Sequence, residues 1–160
     1  MKLGFKLTAL AAMILIPTLV WGHCQVPCGI YADQRRFEEM LEDTETIAKS
    51  MKLINELASK KDAQSKSQLV RWVVTKENHA TNTQRIIADY FMSQRIKPAS
   101  AKKDVEKNMK KLMAAHEVMV AAMKCKQSVD VKYAKQLHES ILNFYRAYEG
   151  KEPKFGHDHP

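Results

Sequence analysis

Six positions of this chain, 23 to 28, bring together an imidazole and two thiols in the run His23-Cys24-Gln25-Val26-Pro27-Cys28-Gly29-Ile30-Tyr31. If the chain is cut after Gly22, His23 also offers a free α-amine, whose ordinary pKa of about 8 lets it bind a metal near neutral pH. Bond counting then sets the geometry. The amine and the Cys24 amide nitrogen close one small chelate ring, and that amide with the Cys24 thiolate closes a second. Pro27, with its fixed φ, and permissive Gly29 suit a turn that returns Cys28 as the fourth donor. The product is a planar set of two nitrogens and two sulfurs, above which the His23 imidazole can sit as an axial fifth ligand. Such a set suits nickel(II) or copper(II) better than tetrahedral zinc. Copper(II) oxidises thiols, so nickel is the better match. Amidate and thiolate donors favour its trivalent state, which points to one-electron chemistry on a small molecule. A Cys24–Cys28 disulfide is the competing reading. Either leaves Cys125 over, and a buried or spectator thiol is its expected role.

The cut itself is legible. Residues 1–22 carry Lys2 and Lys6, then an apolar run over 7–20 broken near its end by Pro17, then Gly22 at the expected cleavage point. This reads as a removable secretory leader, too short for a comfortable membrane anchor. His23 stands where lipidation of Cys24 would need a small residue. The expected product is exported, periplasmic or extracellular, with no stable membrane anchor after a leader-cleaving protease has acted. Its 138 residues make one domain, and loss of the two lysines lowers the formal charge from +8 to +6. Basic residues are scattered among acidic ones rather than gathered with aromatics, which argues against a nucleic-acid partner. The surplus can steer a small anion.

The elements that must position the hook are helical. Glycine and proline are nearly missing between Gly29 and Gly150, Pro98 excepted, and no segment alternates as a strand does. A first helix starts near Asp33, a plausible cap, with Phe37, Met40, Leu41, Thr44, Ile47, Ala48, Met51 and Ile54 on one face. After a loop over 59–67, a second carries Val70, Val73, Ala80, Thr83, Ile87, Tyr90 and Phe91, and Lys97-Pro98 stops it. Ser100 can cap a third, whose inward stripe is Val105, Met109, Leu112, His116, Met119 and Met123. Ser128 can cap a fourth, with Ala134, Leu137, Ile141, Phe144, Tyr145 and Tyr148 inward until Gly150 ends it. The expected fold is all-α: an antiparallel up-down-up-down four-helix bundle over 32–150, preceded by the metal-binding hook at 23–31 and followed by a loosely ordered tail over 151–160. The methionines on these stripes are expected to fill the core rather than bind a soft metal.

The nine-residue run resembles the nickel hook of nickel-containing superoxide dismutase, His-Cys-x-x-Pro-Cys-Gly-x-Tyr. Chain length, helical content and Asp89-Tyr90-Phe91 near the end of the second helix agree with that family. The resemblance implies a four-helix bundle matured by N-terminal processing and assembled as a homohexamer. It implies one nickel ion per subunit, cycling between Ni(II) and Ni(III) while superoxide is converted to oxygen and hydrogen peroxide. It makes His23, Cys24 and Cys28 the nickel ligands, with Tyr31 near the open face guarding the access of small anions. Tyr90 is similar to the family's second tyrosine. Glu39 matches the acid that holds the axial imidazole through its other nitrogen, a normal supporting role for a carboxylate beside a metal ligand. His79 falls roughly where some members have an arginine. Gln25 departs from the best-known hooks, which carry an acid there, but its side chain is not a ligand.

Other constellations are weaker. His116 and His138 are each alone at their spacing, and His157-Asp158-His159 could hold a metal loosely. No nucleophile elbow, phosphate loop or zinc spacing is present. The alternative function is an exported, non-enzymatic helical bundle that binds or carries a metal through the same N-terminus.

Overall fold

The computed structural model describes residues 33–98 and 104–155. They form four helices: α1 (Gln34–Leu57), α2 (Ala63–Arg85), α3 (Val105–Gln127) and α4 (Lys132–Glu149). A π-helical stretch, Ile86–Arg95, continues α2 without a break. Each helix packs on its neighbours in sequence, and α4 closes the ring against α1. The connections are short, so successive helices run antiparallel. Among the described residues there is no strand, and no helix is long and apolar enough to cross a membrane.

The α1 and α4 stripes are as expected. Phe37, Met40, Thr44, Ile47, Met51 and Ile54 of α1 are buried, as are Ala134, Leu137, Ile141, Phe144 and Tyr145 of α4. Gly150 ends α4 in the left-handed region at φ 72°, where glycine carries no Cβ penalty, and its N–H bonds to the Arg146 carbonyl. Cys125 is buried and free, as expected, and burial pushes its thiol up to about 11.

Elsewhere the structure corrects the reading. The loop before α2 is shorter than 59–67, because Asp62 caps the helix by accepting from the Ser65 amide at 2.8 Å. Val70 and Val73 are exposed; only the second half of the α2 stripe, from Ala80 through Phe91, enters the core. Asp104, not Ser100, caps α3 by accepting from the Lys107 amide at 3.0 Å. Ser128 bonds the Asp130 amide instead of starting α4, and Asp130 in turn holds the Lys132 amide.

The largest correction is α3. Its inward face is Ala114, Ala115, Val118, Ala121, Ala122 and Cys125, while Val105, Met109, His116 and Met123 face outward. The helix carries two apolar stripes. The one made of small residues lies inward, because it lets α3 approach its neighbours closely and leaves room for their aromatic rings. Methionine therefore fills the core at Met40 and Met51, but Met92, Met109, Met113 and Met123 are exposed.

The core is densest at one end, where Phe37, Phe91, Phe144 and Tyr148 interlock at centroid distances of 4.8 to 6.0 Å. The first half of the tail is docked there: Phe155 packs edge-on against Tyr145 at 5.0 Å, and Gln34 donates to the Lys154 carbonyl.

Candidate metal centre and its scaffold

His23, Cys24, Cys28 and Tyr31 lie outside the described residues. So do the leader and the His157-Asp158-His159 tail. The described residues begin at Asp33, only two residues past Tyr31.

Asp33 begins α1 but does not cap it; no N–H of the first turn bonds to its side chain. The carboxylate instead collects donors from two other segments. Tyr90 Oη donates to Oδ1 at 2.5 Å, while Tyr148 Oη and the Arg95 guanidinium each donate to Oδ2 at 2.7 Å. Burial alone would raise the Asp33 pKa. The hydrogen bonds from Tyr90, Arg95 and Tyr148, with the Arg95 charge, outweigh it and hold the carboxyl below its ordinary 3.8. The same contacts push Tyr90 up to about 12, burial first and then donation to Asp33. Tyr148 is raised likewise.

The π-helical stretch explains how Tyr90 and Arg95 reach one carboxylate. In an α-helix, side chains five apart diverge by about 140°. The wider turn, marked by the Ile96 amide bonding to the Phe91 carbonyl at 2.8 Å, brings such residues onto one face.

Glu39 lies about one and a half turns into α1. Its Oε2 accepts from Arg36 at 2.7 Å and its Oε1 from Asn82 Nδ2 at 3.3 Å. Arg36 also lies over the Tyr90 ring, 5.2 Å from its centroid, so one guanidinium links the two supporting residues that the sequence singled out. Asn82 reaches past Glu39 to donate to Asp43 Oδ2 at 2.9 Å. Asp43 also receives Thr83 at 3.1 Å and faces His79 Nδ1 at 2.6 Å. Burial raises the Asp43 pKa by more than the contacts from His79, Asn82 and Thr83 lower it. His79 therefore partners Asp43, one turn beyond the acid it was expected to sit beside.

Arg36, Asp43, Asn82, Arg95 and the polar role of Tyr148 were missed from sequence. Their one advance signal was Asp43, a carboxylate beside Thr44 on the inner face of a helix. Tyr148 was read only as the end of an apolar stripe.

Among the described residues no group of three or more His, Cys, Asp or Glu could hold a metal ion. The donor set at 23–28 does fit nickel in its chemistry, with two thiols, an imidazole, an amide and a potential amine. No curated protein and no solved structure matches the chain. A profile of nickel-containing superoxide dismutase matches residues 18–152, which take in the hook and the helices behind it. The chain belongs to the nickel-containing superoxide dismutase family, oxidoreductases that act on superoxide with nickel as cofactor.

Proposed function

We propose that residues 1–22 are removed during export and that the newly freed His23 amine, with the Cys24 amide and thiolate and the Cys28 thiolate, holds one nickel ion per subunit. The observation that carries this reading is the order of parts: a hook with a full nickel donor set runs within two residues into Asp33, a carboxylate fixed by three side chains. When bound, nickel supplies the Ni(II)/Ni(III) couple for superoxide disproportionation.

The chain's own residues take the remaining roles. The His23 imidazole would be a further nickel donor, and Glu39 would accept from its other nitrogen, with Arg36 and Asn82 fixing the carboxylate. Tyr31 narrows access to the open face. Tyr90 positions rather than protonates. Its hydroxyl proton is engaged by Asp33 and its pKa stands at about 12, which makes it a poor proton source for peroxide near neutral pH. The net positive charge of the processed chain favours approach of the superoxide anion. The assembly is a homohexamer of the periplasm or exterior, released by a leader-cleaving protease.

Native mass spectrometry with metal analysis and a superoxide-decay assay tests the proposal. The expected result is a chain that begins at His23 and carries one nickel per subunit. Full activity in a metal-free form with Cys24 and Cys28 disulfide-bonded overturns it.

A further inference from the structure

The outward stripe of α3 carries large apolar side chains at five positions: Val105 is 64% exposed, Met109 50%, Met113 58%, Val120 40% and Met123 44%. On a helical projection they centre opposite Ala115 and Val118, so this is a second face rather than the margin of the core. The stripe is about 27 Å long at the α-helical rise. With exposed His116 it follows a heptad: Met113 and Val120 take the a positions, and Met109, His116 and Met123 the d positions.

We infer that this face pairs with the same face of a second copy of the chain, antiparallel, about a twofold axis level with residues 114 and 115. Charge complementarity fixes both partner and direction. In that register Met113 meets the partner's His116, and Met109 meets the partner's Val120. Lys110 then lies beside the partner's Glu117 and Glu117 beside the partner's Lys110, while Glu106, one heptad before Met113, meets the partner's Met123. A twofold contact repeats every match. The 2.7 Å pair between Lys110 and Glu106 within the helix is exposed at both ends and contributes little, so it does not compete with the new contact. A parallel pairing in register has no such matches, because the flank facing Lys110 and Glu117 would carry Val105, Leu112 and Met119. The inference makes no use of the nickel reading, and its readout is mass rather than activity.

The test compares nickel-loaded protein starting at His23 with Lys110→Glu, Glu117→Lys and the double variant, by sedimentation at micromolar concentration. Circular dichroism checks that the helices are intact, as expected for substitutions at exposed positions. The wild type should form an even-numbered assembly. Each single variant should fall to about half that mass, because like charges then face each other at both symmetric contacts. The double variant, and an equal mixture of the two single variants, should recover the full mass. A monomeric wild type, single variants of unchanged mass, or failure of both the double variant and the mixture to recover association overturns the inference. Association only of chains that retain residues 1–22 assigns the stripe to that apolar segment and also overturns it.

Discussion

The two ends of the bundle are held by different means. At the end where α1 begins, four ring side chains interlock and one carboxylate, Asp33, gathers Tyr90, Arg95 and Tyr148. At the far end the main polar anchor is a single buried cation. Lys76, 3% exposed, donates to the Cys125 and Lys126 carbonyls at 2.8 and 2.6 Å, closing the C-terminus of α3 where a positive charge complements the helix dipole. The first arrangement fixes side-chain positions; the second finishes a helix. The difference places positional precision at the start of α1, two residues past Tyr31, and ordinary helix capping at the C-terminus of α3.

Substitutions at the two ends should separate these roles. The largest effect is expected for Phe91→Ala, which removes a ring in contact with Phe37, Tyr90, Phe144 and Tyr148. It should cost about 3–5 kcal/mol in urea unfolding and lower superoxide turnover in the protein that remains folded. Next, Lys76→Met leaves the buried Cys125 carbonyl and the part-buried Lys126 carbonyl short of a donor, at about 1–3 kcal/mol by the same measurement. Its turnover per nickel should be unchanged. Equal loss of turnover from both ends would break the contrast.

Asp33→Asn keeps the shape but removes the charge, and should cost about 1.5–3 kcal/mol near pH 7. The sign with pH follows from the shift. Asp33 is lowered in the folded state, so its contribution is present above 3.8, the unfolded value, and fades as pH falls through the lower folded value. The gap between wild type and Asp33→Asn in acid unfolding should therefore close below that point. Asp43 is shifted the other way, and its protonation should add stability as pH falls from its raised folded value toward 3.8. Asp33→Asn and Asp43→Asn should thus change the acid slope of stability in opposite directions. The smallest effect is at Cys125. With its thiol buried and raised to about 11, it should stay unalkylated by iodoacetamide at pH 8 until the protein unfolds.

Sequence reasoning reached the helices and the family but stopped short of the contacts between the helices. α4 was readable because it carries one apolar stripe ending in a glycine. α3 was misread because it carries two, and periodicity favoured the bulkier Met109 and Met123 over Ala115 and Ala122. Only packing decides which stripe turns inward, since close approach of helices selects the small residues. The hook motif was legible because its donors are adjacent in the chain. Asp33, Tyr90, Arg95 and Tyr148 meet across more than a hundred residues, and the π-helical turn that aligns Tyr90 with Arg95 has no pattern of its own in the sequence.

The central claim is that nickel is bound by a newly exposed amine at His23. Its most direct test is the processed chain compared with one carrying an extra alanine before His23, both assayed for bound nickel and superoxide decay. The account predicts one nickel per subunit and activity for the chain that starts at His23. The extended chain should be folded and inactive, with its nickel lost or weakly held. Equal nickel content and activity in the two would contradict it.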